Sequence, residues 1–136
     1  MSYVDTEQSP GELAADAERK ATDILYKVGE LLRRQADLHG RFSKLQQIDP
    51  KSGDLATLSD AMDECVRVIG ALGRQRTELL DGMPIIADAK GQIDALTERL
   101  ANDAKLIDRV KERLRQVTAA IATADKLLGR VATLLA

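Results

Sequence analysis

The chain has 136 residues, a net charge of -2 at neutral pH, 31% charged residues and 2% aromatic ones, with no Trp. That length suits one domain, and the charge balance argues against an electrostatic grip on nucleic acid or anionic lipid. Scarce aromatics remove the stacking platform for single-stranded nucleic acid, no apolar run reaches the ~18 residues that span a bilayer, and the Ala, Leu, Asp, Arg and Lys bias is that of long helices.

Residues 1–8 read as a disordered, polar and acidic tail unlike a secretion signal, and residues 9–136 as a single helical domain. Ser9-Pro10-Gly11-Glu12 predicts a helix start. Ser9 can cap the backbone, Pro10 suits the first helical position, and Glu12 stands where a capping box needs a carboxylate. Helix 1 is expected over about 11–48. Its seam is Ala17, Ala21, Ile24, Val28, Leu31, Gln35, Leu38, Phe42 and Leu45, in alternating steps of three and four. Leu25 and Leu32 widen the seam on one flank, and Lys20, Lys27, Arg34 and Arg41 line the other.

Asp49-Pro50-Lys51-Ser52-Gly53 predicts a tight turn, with Asp54 as the next cap. Helix 2, over 54–81, has the seam Leu55, Leu58, Met62, Cys65, Ile69, Leu72, Arg76 and Leu79, flanked by Ala61, Val66, Val68 and Leu80. Asp81-Gly82-Met83-Pro84 predicts a stop and a restart. Helix 3 is expected over 85–135, with apolar residues from Ile93 to Leu135 in heptad spacing and one lapse at Asp103. Leu106-Ile107-Asp108-Arg109-Val110 is similar to the stretch after the central polar layer of SNARE helices, over less than two turns; it assigns no family.

These elements predict an all-α fold: an antiparallel three-helix, coiled-coil-like bundle with a long C-terminal helix extending beyond the other two. If both turns reverse the chain sharply, helix 1 residue n lies level with helix 2 residue 102 - n and helix 3 residue 66 + n. Residues 115–135 then project by ~30 Å. Their stripe, Val117, Ile121, Ala124, Leu127, Leu128, Val131, Leu134 and Leu135, is the expected interaction surface. The expected occupant is a second copy, with a dimer favoured, or a partner helix. A kink near Asn102-Asp103 that folds helix 3 back into a four-helix bundle is the alternative architecture. Gln35 and Asp103 would meet near Cys65 as a polar core layer, unless Asp103 swings out to solvent; Arg76 is expected to snorkel out along its stem.

No residue pattern predicts catalysis, a cofactor or a metal. Cys65 has no His beside it, and His39 with Cys65 makes no metal spacing. The lone cysteine points to a reducing, cytoplasmic setting. Lys105, Arg109, Lys111, Arg113 and Arg115 form the densest basic patch, offset by Asp108 and Glu112. The functional expectation is a non-enzymatic coiled-coil interaction module: an adaptor, assembly factor or small scaffold. The alternative is reversible binding of amphipathic helices to a membrane or other apolar surface.

Overall fold

The computed structural model describes residues 8–81 and 89–136. These form four helices: α1 (Pro10–Ile48), α2 (Asp54–Leu80), α3 (Ala89–Asn102) and α4 (Ala104–Leu135). The expected tail falls outside the described residues except for Gln8, as do the turn at Gly82 to Pro84 and the start of helix 3.

α1 begins with the capping box that its sequence predicts. The Ser9 hydroxyl accepts from the Glu12 N–H at 3.1 Å, and the Ser9 N–H donates to the Glu12 carboxylate at 3.1 Å. Pro10 holds the first helical position, where its missing N–H leaves no bond unmade. The helix stops because Pro50 forces Asp49 out of the α region; Asp49 has φ -144° and ψ 80°. The next cap differs from expectation. Asp54 is the first residue of α2, and it is Ser52 whose hydroxyl accepts the Asp54 N–H at 3.2 Å.

The larger correction concerns the third helix, where the break near Asn102-Asp103, expected only as the alternative, is the one that occurs. It is two helices, broken at Asp103. Asp103 leaves the helical region at φ -142° and ψ 98°, and its carboxylate accepts the Leu106 N–H at 3.1 Å. Its short acidic side chain competes with a continuing helix by capping a new one. Asn102 completes the stop by donating its side-chain amide to the Glu98 carbonyl at 2.9 Å.

The break redirects the chain. α4 runs parallel to α1, fixed by Lys27 on Asp125 at 2.6 Å and by Arg41 on the Leu135 carbonyl at 2.7 Å. It runs antiparallel to α2, fixed by Arg130 on Glu64 and by Arg113 on Asp81 at 3.5 Å. Lys27 therefore faces residue 125, and not residue 93 as the straight-helix register requires. α4 returns along the bundle, and no tail of ~30 Å projects past it.

α3 packs on the first turns of α1, touches α4, and makes no contact with α2 among the described residues. Its place follows from length. At 1.5 Å per residue α2 is ~40 Å long and α1 ~58 Å. The N-terminal turns of α1 outrun α2, and α3, at ~21 Å, supplies the missing length. Thr97 of α3 lies against Gly11 there.

The core is continuous and wholly apolar among the described residues. α1 contributes Leu13, Ile24, Leu31 and Leu38, α2 contributes Leu58, Cys65, Leu72 and Leu79, α3 contributes Leu96 and Leu100, and α4 contributes Leu114, Val117, Leu127 and Val131. Each such side chain stabilises the fold by about 1.5–3 kcal/mol relative to exposure.

Candidate functional site

The stripe expected to meet a partner is used inside the chain. Val117, Ala124, Leu127 and Val131 are fully buried between α1 and α2, and Ile121, Leu128, Leu134 and Leu135 pack against the same core. The expected polar layer does not form. Asp103 caps α4 at the exposed end of the bundle, whereas Gln35 lies past the middle of α1. Counting from the Lys27–Asp125 pair, the two are roughly 45 Å apart along the axis.

Cys65 is buried, and desolvation with the nearby Glu64 charge pushes its thiol pKa up. A thiol held in that state is a poor nucleophile. His39 is exposed. Arg76 is half-buried instead of snorkelling free, and its Nε has no partner among the described residues. Two of the five residues of the basic patch are paired: Arg113 reaches Asp81, and Arg115 pairs with Glu112 at 3.0 Å. Among the described residues, no three of His, Cys, Asp and Glu converge as a metal site. An apolar hollow of 470 Å³ between α2 and α4 is bounded by Ala61, Leu127, Val131 and Leu134 and rimmed by the Glu64–Arg130 pair.

A different surface stands out by what it exposes. Leu25 and Leu32 on α1 are 52% and 51% exposed, and Val66 on α2 is 53% exposed. Their positions place them on one side of the bundle. α4 docks on the Lys27 and Arg41 flank of α1 and on the Ala61 and Glu64 flank of α2. Leu25, Leu32 and Val66 occupy the opposite flanks, so they face away from α4 on the side where α1 and α2 meet.

The register across that face follows from the ion pairs. Lys27 is level with Asp125, and Arg130 is five residues further along α4, so Glu64 stands level with about residue 32–34 of α1. Val66 is then level with Leu32, Gly70 with Gly29, and Gly73 with Leu25. A Cβ on Gly29 or Gly73 would meet nothing within 4 Å, and one on Gly70 only the Arg74 guanidinium at 3.6 Å. The face therefore has a ridge, Leu32 with Val66, beside a hollow at Gly29 and Gly70, open at Gly29 and bordered at Gly70 by the end of the flexible Arg74 side chain.

Charge is nearly absent from it. The outward positions of α1 in steps of three and four are Thr22, Leu25, Gly29, Leu32, Ala36, His39 and Ser43. On α2 they are Ala56, Ser59, Asp63, Val66, Gly70, Gly73 and Thr77. In a chain with 31% charged residues about four of these fourteen would carry charge, yet only Asp63 does, with His39 neutral; the Arg74 guanidinium reaches in beside Gly70 from the edge. Depletion of charge with retained apolar contact is the composition of an interface centre and not of a solvated helix face. The sequence carried this signal in the flanking positions of Leu25, Leu32 and Val66; the long seam of the last helix overshadowed it.

No helix among the described residues is long and apolar enough to cross a membrane. Compared with known protein families, curated proteins and solved structures, the chain matches none.

Proposed function

We propose that this chain is a non-enzymatic helical interaction module, an adaptor, assembly factor or small scaffold, whose α1–α2 face docks partner helices. One observation carries the reading: Leu25, Leu32 and Val66 stand half-exposed on one face that is almost free of charge. The apolar core beneath acts as a rigid support for that face. The setting is a reducing compartment such as the cytoplasm, where Cys65 stays a thiol.

In-cell photo-crosslinking tests the reading. A photoreactive residue at Leu25, Leu32 or Val66 is expected to capture a protein. The same residue at exposed Lys126, on the far side of α4, is expected to capture none. Absence of any protein adduct at all three face positions overturns the proposal.

A further inference from the structure

We infer that the occupant of the α1–α2 face is the same face of a second copy of this chain, related by a two-fold axis. The inference rests on the interaction reading above and deepens it by naming the partner.

Continuity is the first support. Gly11, Glu18, Leu25 and Leu32 follow at intervals of seven, so they share one side of α1. At the Gly11 end this line is already covered by a helix of the chain itself, with Thr97 against Gly11. At Leu25 and Leu32 the line continues uncovered. The exposed face prolongs a helix-packing surface already in use.

Area is the second. Thr22 to Ser43 spans ~32 Å, and two helices side by side offer a width of roughly 20 Å. The footprint is about 640 Å² before side-chain corrugation is counted, in the range of the ~800 Å² per partner of a stable interface. A lone helix covers only half that width. A second α1–α2 pair covers it all.

Shape and charge are the third. Let the axis lie in the interface and cross the helices between the levels of Gly29 and Leu32. α1 then lies antiparallel to its mate. Leu32 meets Gly29 of the partner copy, Leu25 meets Ala36, and on α2 Val66 meets Gly70. Every large apolar side chain faces a small residue, as an isologous contact requires. The same axis sets Asp63 opposite Gly73 and beside Arg74 of the partner copy, whose guanidinium lies by Gly70, so the charges that meet are of opposite sign.

Sedimentation and light scattering of the purified chain are expected to give twice the 14.8 kDa chain mass. The L32E/V66E double variant is expected to keep its helicity and to weaken association at least a hundredfold. Gly29→Leu enters open space in the lone chain and improves helix propensity; it is expected to keep the fold and to weaken association at least tenfold. A photoreactive group at Leu32 is expected to give a self-adduct that maps near Gly29. A monomer at all concentrations, or a dimer that survives both variants, overturns the inference. If purified protein gives no self-adduct while cells give an adduct with a different protein, the second copy is refuted and the interaction reading survives. If neither gives an adduct, both fall.

Discussion

Removing the Asp103 cap should weaken the fold without straightening the chain. Asp103→Ala deletes one bond, from the Leu106 N–H to the Asp103 carboxylate. The cost expected for an N-cap is about 1 kcal/mol. Straightening α3 and α4 into one helix is far costlier. It strips α1 and α2 of Leu106, Val110, Leu114, Val117, Leu127 and Val131, all at least nine-tenths buried. At about 2 kcal/mol each the loss is roughly 12 kcal/mol, comparable with the whole stability of a domain. The hairpin is therefore held by its packing, and the cap only places the corner. Leu100→Ala, which opens a cavity between α3 and α1, should cost about 2–5 kcal/mol, more than loss of the cap. Urea titrations followed by circular dichroism measure both. Fluorescent labels on the exposed residues Gly40 and Ala132 report the geometry. Arg41 touches Leu135, so the labels are expected close together in wild type and in Asp103→Ala alike. One continuous helix in the line of α3 would carry Ala132 away past the Asp103 end and separate them by roughly 95 Å. A long distance in Asp103→Ala, or a cap variant less stable than Leu100→Ala, refutes this reasoning.

Other outcomes are equally specific. Glu64 has its carboxyl held below the ordinary value of 4.5 because Arg130 donates to it. Its folded value is depressed, so this stabilisation is in place above that ordinary value and is lost as pH falls through the lowered one. Wild type should therefore lose more stability than Arg130→Met on acidification from about pH 5 to about pH 3, and parallel urea midpoints would refute the pairing. Cys65 should react with thiol reagents only through opening of the bundle, with rates that climb with denaturant; reaction at the speed of a free thiol contradicts its burial. Leu127→Ala should cost about 2–5 kcal/mol, with the same loss in the L32E/V66E background. A loss that vanishes there would mean that Leu127 works between chains and not within one.

Much of the architecture was written in local patterns. Ser9 and Glu12 form the capping box that their spacing announces, and Pro50 ends α1 where its ring must. The seams of α1 and α2 supply Ala21, Ile24, Leu31, Leu38, Leu58, Cys65 and Leu72 to the core, because heptad spacing and burial are the same geometry. The register of the last helix was not legible in this way. A heptad stripe says that a face is buried, not whether its own chain or another buries it. Asp103 interrupts the stripe at one position, and an aspartate there is compatible with a solvated edge or with a cap. What decides is the ~18 Å by which α1 outruns α2, a space that α3 fills once the chain breaks. The candidate face was half visible: Leu25, Leu32 and Val66 read as widened seams, but their shared side depends on where α4 docks, which lies in no local pattern.

The parallel placement of the first and last helices sets an order on folding. Lys27 and Asp125 are neighbours in space and 98 residues apart in sequence. The α1–α2 hairpin can close through a five-residue turn as soon as it exists, with little loop entropy to overcome. Until α4 arrives, that hairpin shows apolar side chains on both faces: the one α4 will cover, and the Leu25, Leu32 and Val66 side that it never does. A nascent chain halted before residue 104 is thus the species most exposed to aggregation, and the one that a chaperone has most reason to hold.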